Sequence, residues 1–201
     1  MLRHFAIISG VLLISGAVSA TTVTLDFEGF PDSTILTTQY PGVSFSNAII
    51  LTCGISLNEF EFPPHSGVNV VSDNGGPMSI MFATPVTSFS GYFTYAEPLT
   101  IDAYDASSNL LTSTMSAYSN NEAMSGDPGS SPNEFLQLTS TTGMLDVTIT
   151  GDPLGGSFVL DDATYVTPSL ATPEPVFTPV IGVMVLLAVL CSRRSRLAIE
   201  A

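Results

Sequence analysis

Between Thr21 and Thr172 the chain carries 16 carboxylates, one thiol, one imidazole and no lysine or arginine. Spacing places some of those carboxylates. In Leu25-Asp26-Phe27-Glu28 apolar and acidic side chains alternate, so an extended backbone puts Asp26 and Glu28 on one face, opposite Leu25 and Phe27. Near the other end Phe158-Val159-Leu160 leads into Asp161-Asp162, whose side chains point to opposite faces of a regular strand, so at most one of them shares a site with another strand. Carboxylates with no basic partner need water, backbone N–H groups or a cation, and a hard cation such as calcium neutralises several at once. Asp26, Glu28, Asp161 and Asp162 are therefore candidate ligands of a structural calcium ion. The alternative is that they are solvated edge charges that discourage pairing between molecules.

Other chemistry has weaker support. Cys53 closes a strand-like run that would bury it, and a buried lone cysteine behaves as a small hydrophobe. His65, in Pro63-Pro64-His65-Ser66-Gly67, lies on a loop with no neighbour in sequence that identifies a base and its orienter. Glycoside hydrolysis needs two carboxylates at a set separation, and with so many present no pair is singled out. There is no histidine cluster for zinc and no glycine loop for phosphate. No Trp is present, so any stacking platform for a sugar falls to tyrosine, with Tyr92, Tyr95 and Tyr104 the candidates. A domain of this sign repels phosphate backbones and anionic head groups, which excludes DNA and RNA as direct partners.

The elements that must position these residues read as all-β. Strand-like runs rich in Thr, Ser, Val and Phe recur about every ten residues with Gly, Pro, Asn and Asp between them, as in a two-sheet antiparallel sandwich or jelly roll. The runs are Thr22–Phe27, Gly42–Phe45, Ala48–Cys53, Val68–Ser72, Met78–Phe82, Val86–Tyr95, Leu99–Tyr104, Leu110–Ala117, Glu134–Thr139, Met144–Thr150 and Ser157–Val166. Residues 105–109 form a hairpin loop, and two long loops, Pro63 to Pro77 and Asn120 to Asn133, are where a rigid sandwich would carry function.

The ends belong to export. Residues 1–20 have a positive head, an apolar stretch and Val18-Ser19-Ala20, the three parts of a signal peptide. Residues 21–167 form the exported domain and 168–175 a linker. Residues 176–192 form an apolar segment just long enough to span a membrane as a helix, and 193–201 a basic tail that stays inside. The order Pro173-Glu174-Pro175, apolar helix, then Arg193, Arg194 and Arg196 resembles the PEP-CTERM sorting signal of Gram-negative bacteria that make exopolysaccharide. That resemblance implies recognition of the tripeptide by an exosortase, an inner-membrane anchor before processing, and delivery to the cell surface or extracellular matrix.

The domain resembles those often attached to this signal through Leu25-Asp26-Phe27-Glu28, residues 39–45 (QYPGVSF), residues 86–93 (VTSFSGYF) and Leu160-Asp161-Asp162. The opening and closing acidic stretches are also similar to the ends of jelly-roll carbohydrate-binding modules. This second resemblance implies first and last strands side by side, with a calcium between Glu28 and Asp162. The leading expectation is a non-enzymatic matrix-associated structural or binding domain with exopolysaccharide as a partner. The alternatives are a specific carbohydrate-binding module and a polysaccharide-acting enzyme.

Overall fold

The computed structural model describes residues 19–168; the predicted signal peptide up to residue 18, the Pro-Glu-Pro motif, the predicted membrane segment 176–192 and the arginine tail lie outside them. The described residues form nine strands and no helix: β1 Thr22–Leu25, β2 Val43–Ser46, β3 Ala48–Thr52, β4 Asn69–Asn74, β5 Met78–Tyr95, β6 Thr100–Tyr104, β7 Leu110–Met115, β8 Glu134–Thr150 and β9 Gly155–Val166. Every pairing between them is antiparallel.

Two pairs of sequence-predicted strands merge. Residues 78–82 and 86–95 are one strand, β5, and residues 134–139 and 144–150 are one strand, β8. The two run side by side through a bend where the register shifts between Met81 and Ser88. Pro85 and Gly143 meet there. Gly143 has φ +85°, and a Cβ on it would lie 2.7 Å from Pro85 Cβ, so only glycine lets the two chains bend together.

On one side of the bend, sheet I orders β2, the first half of β5, the second half of β8, β6 and β7. On the other, sheet II orders the first half of β8, the second half of β5, β9, β4 and β3, with β1 also on β9. Alternation decides which side chains each half turns inward. Ile80, Ile101 and Val147 from sheet I and Phe93, Phe158 and Leu160 from sheet II are buried in one core. Each such side chain is worth about 1.5–3 kcal/mol relative to exposure.

A smaller cluster lies apart from this core. Leu57, Val70 and Val159 pack with Leu51, Cys53 and Phe62, which puts the segment after β3 over sheet II. The first and last strands are neighbours, Thr22 opposite Val166 and Leu25 opposite Ala163. The predicted hairpin loop after β6 closes on Asp105, whose carboxylate accepts the Ser107 and Asn109 amides.

Candidate functional site

The site starts from an irregularity in β9. Ser90 of β5 pairs with Thr164, but Tyr92 pairs with Asp161, so Gly91 alone of β5 is opposed by both Asp162 and Ala163 of β9. The extra residue is Asp162, at φ 47°. Aspartate tolerates this left-handed conformation better than most side chains. The bulge changes the parity of the strand: Leu160 and Ala163 both point into the main core although they are three positions apart.

Here the sequence-based geometry is corrected. Adjacent side chains were expected on opposite faces, yet Asp161 and Asp162 hold the same loop. Asp161, 1% exposed, accepts the Ser66 amide at 2.8 Å through Oδ2 and the Asp162 amide at 2.7 Å through Oδ1. Asp162 accepts the Ser66 hydroxyl at 3.0 Å and lies 2.7 Å from His65 Nδ1.

Glu28 secures the far end of the same loop. Its Oε1 accepts the Val68 and Asn69 amides, each at 2.8 Å. β1 has already ended at Leu25, and Phe27, at φ 59°, turns the chain while its ring stays fully buried. Asp26 remains exposed and accepts the Glu28 amide at 3.2 Å. Three of the four predicted calcium ligands, Glu28, Asp161 and Asp162, are thus brought to one loop, and each has protein donors. Among the described residues no three His, Cys, Asp or Glu are grouped as a metal ion requires.

Burial pushes the Asp161 carboxyl up to about 6, opposed by the Ser66 amide and reinforced by the neighbouring Asp162 carboxylate. Burial, with Glu59 nearby, also pushes the half-buried Cys53 thiol up, which keeps it a poor nucleophile.

Above β5, the His65 imidazole lies flat on the Tyr92 ring, with centroids 3.4 Å apart and planes 7° from parallel. Tyr92 also meets Phe135, its partner on β8, with centroids 5.4 Å apart and an angle of 56°. Phe135 is 52% exposed. The face continues in hydroxyls and an amide: Gln137 donates to Ser88, and Thr24 and Thr164 share a hydrogen bond.

The predicted loop Pro63 to Pro77 is interrupted by β4, and it is the β3–β4 connection, residues 53–68, that meets the β7–β8 connection, residues 116–133, beside the site. Glu61 accepts the Met124 and Ser125 amides, and Asn133 donates to the Pro63 carbonyl. Phe60 and Met124 are exposed on these loops. His65 and its carboxylate were invisible as a pair in the sequence because 97 positions separate them; only the bulge joins them.

The tyrosines do not form one platform. Tyr95 points into the core at 0% exposure, its hydroxyl bonded to Glu134, and cannot meet a ligand. Tyr104 is on sheet I, opposite Asp146. Tyr92 alone of the three stands in the site, and its upper face is covered.

The arrangement can stack rings and exchange hydrogen bonds. The Ser66 hydroxyl and the imidazole both point to the Asp162 carboxylate, so the hydroxyl does not bond to the imidazole. A groove of about 720 Å³ elsewhere, lined by Thr87, Leu110–Thr112 and Thr139–Thr142, contains no carboxylate or imidazole.

No family model matches the chain, and no curated protein does. Solved structures with a similar arrangement include the K2 cleaved adhesin domain of Lys-gingipain, at 14% identity and TM-score 0.46, covering 72% of this chain and 99% of that one. A DUF4465 family protein from Bacteroides caccae is similar at 10% identity and TM-score 0.46, covering 74% and 100%. A family 29 carbohydrate-binding module in complex with cellulohexaose is similar at 9% identity and TM-score 0.40, covering 76% and 94%. At these identities and scores none of them assigns a function to this chain.

Proposed function

We propose that the chain is an exported, non-catalytic binding domain with a two-sheet jelly-roll architecture, sorted by exosortase to the cell surface or exopolysaccharide matrix, where it holds an uncharged glycan. The observation that supports the ligand class is the face built by β8, β5 and β9. An exposed phenyl ring, a stacked imidazole–phenol pair and a run of hydroxyl and amide groups lie together on a domain without one lysine or arginine. Rings offer a sugar its apolar face a partner, hydroxyls and amides meet its polar edge, and the surrounding carboxylates disfavour uronate chains. Pro173-Glu174-Pro175 followed by an apolar run and Arg193, Arg194 and Arg196 supports the sorting route.

Full-length protein in mild detergent should be retained on insoluble neutral glucan, mannan or galactan, or on the producing cell's own exopolysaccharide, and not on alginate. Phe135→Ala should lower retention about tenfold, a loss of about 1.4 kcal/mol, with an unchanged melting temperature. Absence of retention on every neutral polymer would overturn the glycan reading. For the sorting route, Glu174→Ala should leave a membrane-retained form, and peptides spanning Arg193–Arg196 in released surface material would overturn processing.

A further inference from the structure

We propose that the Tyr92 ring face beneath His65 is a concealed sugar subsite and that the imidazole is its resident occupant. The proposal rests on the glycan reading of this face and deepens it. An exposed histidine seldom lies flat on a ring by chance of packing, and here the stack is held by a separate device: Asp162, re-aimed by the bulge, is 2.7 Å from Nδ1. The imidazole thus takes the position over Tyr92 that the apolar face of a hexose would take, and it does so beside Phe135, the exposed ring of the same surface.

Uncovering Tyr92 needs no loop movement. The backbone around His65 is tied independently, by Ser66 to Asp161 and by Val68 and Asn69 to Glu28. Only the His65 side chain must rotate away, at the cost of one exposed hydrogen bond and one ring contact. A ligand that stacks on both Phe135 and Tyr92 recovers that contact, whereas one that reaches Phe135 alone does not. The cap therefore lowers the affinity for glycans long enough to span both rings by the cost of displacing it, and leaves a single sugar held at Phe135 unaffected.

The test is a double-mutant cycle on full-length protein, with retention on an insoluble neutral β-glucan and binding of its soluble hexasaccharide as probes. His65→Ala should raise hexasaccharide affinity about three- to tenfold and leave monosaccharide binding unchanged. Tyr92→Ala should cost little in the wild type but should abolish the gain in the His65→Ala background, so the two effects are strongly non-additive. Asp162→Asn keeps a residue suited to the left-handed position while weakening the tether, and should move affinity in the same direction by a smaller factor. Weaker binding by His65→Ala, or an equal Tyr92→Ala effect in both backgrounds, would overturn the cap while leaving a glycan site that depends on Phe135. Failure of the wild type and all variants to be retained on any neutral polymer, β-glucan included, would overturn both readings together.

Discussion

Asp161 makes stability depend on pH in a direction opposite to that of most carboxylates. Buried beneath the Ser66 loop, it holds its proton up to about pH 6 in the folded chain, against an ordinary value of 3.8 that applies once the chain unfolds. Between these values the folded state binds a proton that the unfolded state has released. Its contribution is therefore fully present below about pH 4, falls as pH rises, and is gone above about pH 6. Two units at about 1.4 kcal/mol each set an upper limit of ~3 kcal/mol. Solvent screening near the loop reduces this to about 1.5 kcal/mol, or roughly 3–6 °C in melting temperature for a domain of this size. The assay is thermal melting followed by circular dichroism at constant ionic strength, comparing pH 4.5 with pH 7.5 in the wild type and in Asp161→Asn. The buried Asp73, also shifted up, and the His65–Asp162 pair are present in both proteins, so the difference between their slopes isolates Asp161. An identical slope in both, or a steeper loss of stability with rising pH in Asp161→Asn, would refute the reasoning.

Three further outcomes follow from the same geometry. Glu28→Ala leaves the Val68 and Asn69 amides without their acceptor and should destabilise by about 1–3 kcal/mol, read as a lower urea midpoint with an unchanged slope. Gly143→Ala forces a side chain into a left-handed position 2.7 Å from Pro85 and should cost at least about 1 kcal/mol by the same measurement, with Gly75→Ala, at φ +86° and with nothing within 4 Å, as the control for left-handed strain alone. A calcium ion between Glu28 and Asp162 predicts a melting temperature that rises by more than about 2 °C with calcium, falls with chelator and loses the effect in Asp162→Ala; an unchanged melting curve would rule the ion out.

The pattern of apolar residues was enough to find nearly every strand, because period-two alternation is imposed by the same burial that makes the core. Ile101 and Ala103 point inward and Asp102 and Tyr104 do not, as their spacing requires. The same pattern divided β5 and β8 wrongly. A turn residue such as Pro85 or Gly143 looks alike in sequence whether the chain reverses there or bends and continues into a second sheet, and only the partner strand distinguishes the two. Tyr95 was misplaced for a related reason. Its phenol is polar enough to suit a surface, but Glu134 supplies a buried acceptor from 39 positions away.

The carboxylates carry the larger lesson. A domain with 16 acids and no Lys or Arg can satisfy them with water, backbone N–H groups or a cation. Among the described residues, backbone N–H groups serve many of them. Asp32 accepts the Thr52 amide, Asp73 those of Ser157 and Phe158, Asp127 those of Ser119 and Asn120, and Glu61 those of Met124 and Ser125, in the same manner as Glu28 and Asp161. Charge-assisted bonds to N–H groups are shorter and stronger than neutral ones, and each fixes a loop to a strand or to another loop. Acidity here is thus a means of pinning long connections on a β scaffold, and the anionic surface that repels phosphate and uronate is its consequence. In the one histidine–carboxylate contact among the described residues, a carboxylate re-aimed by a bulge holds a side chain, and that side chain is the one that covers Tyr92.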